Sequence, residues 1–61
     1  MKKTQHRLLT LAFFASYPGV HAFDSRAAPT VRAVRSLERE GFLRVDWTAH
    51  CAEFTGLTFS R

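Results

Sequence analysis

The single cysteine of this chain limits how a protein of 61 residues can be stabilised. Cys51 has no second cysteine to pair with, so a disulfide-framed secreted mini-protein is excluded. A domain of this size buries only about 60% of the surface that its unfolded chain exposes and is marginally stable alone. The sequence therefore predicts one domain, residues 1–61, with an apolar core and a need for further support from a partner chain.

Composition excludes a disordered chain and leaves two interpretations of the charge. Apolar residues make up 46% of the sequence and include six phenylalanines, whereas disordered chains are poor in aromatic residues. Nine Lys and Arg against five Asp and Glu give a net charge of +4. This excess indicates attraction to phosphate or to an acidic protein surface, and it equally suits a role in solubility alone. No apolar run approaches the roughly 20 residues of a membrane-spanning helix, so no membrane association is predicted.

The first 22 residues follow two patterns at once. A basic start, an apolar centre over residues 8–15 and the ending Val20-His21-Ala22 are typical of a secretory signal cleaved after Ala22. Such cleavage would leave 39 residues, below the limit of roughly 40 residues for folding unaided. We therefore interpret the segment as the first helix of a cytoplasmic protein, and secretion after Ala22 is the alternative.

This first helix is predicted over residues 5–17, with Thr4 as its N-cap and Pro18-Gly19 as its stop. One face carries four apolar residues, Leu8, Leu11, Ala12 and Ala15. Three more apolar residues lie on its flanks, namely Leu9, Phe13 and Phe14. A helix that is apolar nearly all round is buried on several sides. Because so short a chain cannot cover it, we expect a second subunit or another partner to contact Leu9, Phe13 and Phe14.

A second helix is predicted over residues 29–40. Pro29 suits its first turn, and Gly41 suits the left-handed position that ends a helix. The apolar residues that recur at helical spacing form its core stripe, namely Val31, Ala33, Val34 and Leu37. The opposite side carries Arg32, Arg35, Ser36 and Arg39. This face either contacts DNA or is simply solvated.

The remaining sequence predicts a two-stranded hairpin. Residues 42–47 alternate in the manner of a strand, with Leu43, Val45 and Trp47 on one side. Residues 51–55 form the returning strand, with Ala52 and Phe54 on one face. Trp47 and Phe54 are expected to pack across the strands into the core, and Leu57 and Phe59 to fold back onto it.

The run from Thr30 to Leu43, TVRAVRSLEREGFL, resembles the end of the recognition helix in winged helix-turn-helix proteins. In that family a Leu-Glu-Arg-x-Gly-Phe/Leu pattern leads directly into the first wing strand. Residues 54–58, FTGLT, are similar to the segment that follows the second wing strand. The resemblance implies a small α+β domain with a first helix, a short turn, a second helix and a two-stranded wing. Only residues 24–28 are available for the family's middle helix, so the version implied here is a minimal one.

The resemblance also implies that the helix over 29–40 enters the major groove of duplex DNA. The residues that would face DNA are Thr30, Arg32, Arg35, Ser36, Arg39, Arg44 and His50. Glu38 and Glu40 flank the arginines and would weaken such a surface. We expect a DNA-binding regulatory protein of the kind that phages and mobile elements encode, acting as a dimer. The alternative is a small interaction module or inhibitor that binds a host protein and makes no DNA contact.

Nothing in the sequence predicts catalysis, a metal or a cofactor. His6, His21, His50 and Cys51 show no zinc-binding spacing, and the three glycines are scattered rather than grouped in a phosphate-binding loop. A lone cysteine is more often a small buried hydrophobe than a nucleophile. A chain of this length also has little room for a water-excluding pocket, so an enzyme is not expected.

Overall fold

A computed structural model describes residues 3–56. Its elements follow the order α1 (Lys3–Ser16), β1 (Val20–Ala22), α2 (Ala28–Arg39), β2 (Leu43–Asp46) and β3 (Cys51–Phe54). The predicted α+β class is confirmed. The sheet, however, has three antiparallel strands in the order β1-β3-β2, so the prediction of two strands is wrong.

The additional strand, β1, follows the turn that ends α1. Gly19 has a φ of 104°, and this left-handed backbone lets the chain reverse after Tyr17-Pro18. Val20 then pairs with Glu53, and Ala22 pairs with Cys51. The N–H of Phe23 extends the pairing by donating to the carbonyl of His50 at 2.9 Å. A strand of three residues is too short to show an alternation of polar and apolar residues. It is recognised only by its hydrogen bonds to β3, which the sequence does not reveal.

Helix α1 turns a different face to the core from the one predicted. It begins at Lys3, so Thr4 lies inside it rather than capping it. Phe14 is buried with 2% of its surface exposed and Leu11 packs against the same cluster, whereas Leu8 is 59% exposed. The spacing of apolar residues along the sequence could not determine which face of α1 is buried, because the helix is apolar nearly all round.

Helix α2 matches its prediction closely and ends in a Schellman motif. Pro29 lies in its first turn. At its carboxyl end Gly41 has a φ of 88° and its N–H donates to the carbonyl of Glu38 at 3.0 Å. The N–H of Phe42 donates to the carbonyl of Leu37 at 2.9 Å. These two bonds satisfy carbonyls that the helix end would otherwise leave unpaired, and they turn the chain directly into β2.

The core lies between the two helices and one face of the sheet. Its fully buried members come from four elements, namely Phe14, Val34, Leu37, Leu43 and Ala52. The register places Leu43 opposite Phe54 and Val45 opposite Ala52. The predicted alternation of β2 is therefore confirmed, with Leu43 and Val45 towards the helices and Arg44 on the outer face.

Two further sequence predictions concern the ends of the chain and the membrane. Leu57 and Phe59, predicted to fold back onto the core, lie outside the described residues. Within residues 3–56, neither helix has the length and apolar character that crossing a bilayer demands.

Leu37 provides a test of this core. Because its side chain is fully buried, Leu37→Ala should lower the free energy of unfolding by about 2–5 kcal/mol. Urea denaturation followed by circular dichroism measures this loss. Leu8→Ala, at a position 59% exposed on α1, is the matched control and should change stability by less than about 0.5 kcal/mol. Equal effects of the two changes would contradict the packing described here.

Candidate nucleic-acid interface

Three arginines form the exposed face of α2. Arg32, Arg35 and Arg39 are all exposed, while Ala33, Val34 and Leu37 are buried on the opposite side. Positions i, i+3 and i+7 fall on one stripe of a helix, and seven residues rise by about 10 Å. We call these three residues the arginine face. Ser36, also predicted to contact DNA, is half-buried at its margin.

The arginine face differs from the other described arginines in its pairing. Arg7 is paired with Glu40, Arg26 lies 3.6 Å from Asp24, and Arg44 lies 2.7 Å from Glu53. Within residues 3–56, no carboxylate lies at ion-pair distance from a guanidinium group of the arginine face. These three charges are therefore not neutralised within the described fold.

The two glutamates of this region each bond to a residue of another part of the fold. The indole Nε1–H of Trp47 donates to Oε1 of Glu38 at 3.0 Å. Glu40 forms its ion pair with Arg7 of α1. Both carboxylates thus have partners of their own within the fold, and the charge of Glu40 is offset by a cation, whereas Glu38 bonds to a neutral indole and keeps its charge.

Trp47 also supports one member of the arginine face. The guanidinium carbon of Arg35 lies 4.6 Å from the centroid of the indole ring, a cation–π arrangement. The indole ring also packs edge-to-face against the ring of Phe23, with the ring centroids 5.4 Å apart. Trp47 therefore fixes Arg35 and Glu38 at once, and it restricts the conformational freedom of the Arg35 side chain.

Sequence reasoning placed Trp47 in the core but did not find these contacts. Trp47 does pack against the core cluster, yet it lies beyond the end of β2 and not opposite Phe54. The turn after it is formed around Asp46, whose Oδ1 accepts from the N–H groups of Thr48 and Ala49 at 3.0 and 3.2 Å. Arg35 and Glu38 precede Trp47 by a dozen residues or fewer, and no spacing rule links a helix to the turn of a following hairpin.

The remaining residues of the predicted DNA site do not join the arginine face. Thr30 is half-buried and points to α1, with its Oγ1 3.4 Å from Nε2 of His6. Arg44 lies on the outer face of the sheet, where Glu53 pairs with it. His50 occupies the β2–β3 turn with a φ of 53°, and its ring contacts Phe23 at 5.9 Å.

The three residues of α1 that were predicted to contact a partner differ in their exposure. Leu9 and Phe13 are 58% and 48% exposed, so they are available to another molecule. Phe14 is a core residue of this fold, and its prediction as an interface residue is corrected accordingly. The reason is the rotation of α1, which directs Phe14 to α2 and the sheet.

Within residues 3–56, no three His, Cys, Asp or Glu side chains lie close enough together to hold a metal ion. Cys51 is a half-buried free thiol whose Sγ lies 3.4 Å from the carbonyl of Ala49. The arginine face is therefore the candidate site that the geometry favours.

Comparison of the chain with protein-family models, curated proteins and solved structures gives no significant match. The function must therefore be argued from the residues of the chain and their arrangement.

A double-mutant cycle tests the bond between Trp47 and Glu38. Trp47→Phe keeps an aromatic ring but removes the donor, and Glu38→Gln removes the charge of the acceptor. We expect a coupling of about 0.5–1.5 kcal/mol in the free energy of unfolding, the range of a single hydrogen bond. Urea unfolding of the two single variants and the double variant measures it. The same cycle with Glu53→Gln, on the outer sheet face, should be additive within about 0.5 kcal/mol; coupling there and none at Glu38 would refute the assignment.

Proposed function

We propose that this protein binds duplex DNA through the arginine face of α2, as a small winged-helix-like regulatory protein. The observation that carries the proposal is the contrast in pairing. Arg7, Arg26 and Arg44 are paired with carboxylates, while Arg32, Arg35 and Arg39, on one helix surface, have no carboxylate at ion-pair distance within residues 3–56. Phosphate contacts supply most of the affinity of such proteins, and unpaired surface arginines provide them.

The dimensions of the helix suit the major groove. α2 has 12 residues, a length of about 18 Å, and the groove of B-DNA is roughly 12 Å wide. Arginine binds guanine through two parallel hydrogen bonds and also binds phosphate, so the same face provides both affinity and base contacts. Arg35, held on the indole of Trp47, is the best positioned of the three for a base contact.

The order of elements supports the winged-helix-like part of the proposal. Helix α2 leads through Gly41 directly into a β2–β3 hairpin, and β1 completes an antiparallel sheet of three strands. The chain before α2 makes only a turn, in which the N–H of Ala27 donates to the carbonyl of Asp24 at 3.2 Å. We therefore propose that α2 docks without a separate middle helix. Arg44 is left out of the contact because it lies on the outer face of the sheet, where it pairs with Glu53, and His50 because its ring packs on Phe23.

An acidic protein surface is the competing partner, because it also complements three unpaired arginines. DNA is favoured by the shape of the site. The arginine face is a narrow convex stripe on one helix, which fits a groove with phosphates on both sides.

The experiment is fluorescence anisotropy with a labelled random duplex at about 50 and 200 mM salt. Three phosphate contacts predict an affinity that falls roughly 40-fold between these concentrations. Arg35→Ala combined with Arg39→Ala should weaken binding by tenfold or more and flatten the slope of log K against log salt by about 2. Circular dichroism of each variant confirms that it is folded.

Arg44→Ala combined with Arg26→Ala is the matched control, since it removes the same amount of charge from arginines that are already paired. We expect it to have little effect on affinity. If both double variants weaken binding equally, net charge and not the arginine face is responsible. Absence of binding at about 50 mM salt would refute the proposal and favour the acidic protein partner.

A further inference from the structure

One member of the arginine face is held differently from the other two. The guanidinium carbon of Arg35 lies 4.6 Å from the indole centroid of Trp47. Within residues 3–56, neither Arg32 nor Arg39 has its guanidinium group over an aromatic ring. Arg35 also lies between these two along α2, three residues after Arg32 and four before Arg39. It is therefore the central cation of the site and the one that an aromatic ring supports.

The ring that supports Arg35 is itself held in place. Trp47 packs against the core cluster, its Nε1–H donates to Oε1 of Glu38 at 3.0 Å, and its ring packs edge-to-face on that of Phe23. Contacts from α2 and from the chain after β1 thus restrict the rotation of the indole. A side chain that rests on a fixed ring loses less conformational freedom when it binds a ligand than one that moves freely.

Contact with the indole leaves the hydrogen-bond donors of Arg35 available. A guanidinium group carries five N–H donors in its plane, and it stacks on aromatic rings through its face. No carboxylate lies at ion-pair distance from Arg35 within the described residues. The O6 and N7 acceptors of guanine require two parallel donors in a fixed position, whereas a phosphate also accepts from a mobile cation.

The charge of Glu38 favours a base over a phosphate at this position. Its carboxylate bonds to the neutral indole and keeps its charge beside the ring on which Arg35 rests. A phosphate brought to Arg35 is repelled by that carboxylate, whereas guanine is neutral. In a random duplex all three arginines contact phosphate, but a site that presents guanine gives Arg35 a better partner.

We infer that Arg35 gives the protein its sequence preference by binding guanine in the major groove, and that Trp47 is the residue that positions it. This inference rests on the proposed binding of duplex DNA by the arginine face. Arg32 and Arg39, which no ring holds within the described residues, contact phosphates. The protein should therefore prefer duplexes with guanine at one position by about 5- to 150-fold, the discrimination of a single bidentate contact.

The test is a selection of bound sequences from a random duplex library. Anisotropy titrations then compare the selected duplex with the same duplex carrying A·T at the enriched position. The wild type should enrich guanine at one position. Arg35→Lys keeps the charge but not the two parallel donors, so it should reduce the preference to below about threefold.

The role of Trp47 is tested by two variants in the same titrations. Trp47→Leu leaves Arg35 in place but removes the ring, and it should reduce the preference as far as Arg35→Lys does. Trp47→Phe loses the indole N–H but keeps an aromatic face, so it should retain a preference of at least about fivefold. Both variants lose the bond to Glu38, so a difference between them reports the ring and not that bond. If circular dichroism shows that Trp47→Leu is unfolded, Trp47→Phe carries the test, and loss of its preference would contradict the positioning role.

Tyr17→Leu is the matched control. It also removes an aromatic ring, but that ring packs on Phe13 and His21 and not on an arginine, so the preference should change by less than about twofold. Binding of random duplex without an enriched guanine would overturn the inference and leave the DNA-binding proposal standing, as would equal preferences in the wild type and Arg35→Lys. Absence of any binding at about 50 mM salt would overturn both.

Discussion

The burial of the apolar stripe of α2 is the constraint on which the rest of this structure depends. Val34 and Leu37 are fully buried, and they contact residues from α1 and from both long strands. When Val34 and Leu37 face the core, the helical geometry directs Arg32, Arg35 and Arg39 away from it. The core and the arginine face are therefore two consequences of a single sequence pattern, and neither can be moved without the other.

The same small core leaves α1 incompletely covered. Among residues 5–16 of α1, only Phe14 is buried, and the sheet has too few residues to reach around the helix. Each exposed apolar side chain of α1 contributes little to the stability of the monomer, since it stays in water in the folded state. In a domain of about 60 residues the chain has few other residues with which to cover this surface.

How much of the fold can be predicted from the sequence depends on whether the signal is local. α2, its end at Gly41 and the alternation of β2 follow from nearby residues, and all three were predictable. β1 is defined by its pairing with β3, so its three residues carry no sufficient signal of their own. The rotation of α1 about its axis depends on which of its faces packs against Leu37 and Ala52. Because α1 has apolar residues on nearly every side, its sequence does not determine that face. The prediction of Phe14 at an interface followed from this ambiguity.

The candidate site shows the same division. The alignment of Arg32, Arg35 and Arg39 is a matter of helical spacing and could be predicted from the sequence. The absence of ion pairs to these arginines could not be predicted, because it depends on which residues Glu38 and Glu40 contact. Glu38 bonds to Trp47, and Glu40 bonds to Arg7. Both partners belong to other elements, so the charge of the face is set by tertiary contacts. Glu38 and Glu40, which weaken a basic helix in the sequence, become in the folded chain the groups that bond α2 to the hairpin turn and to α1.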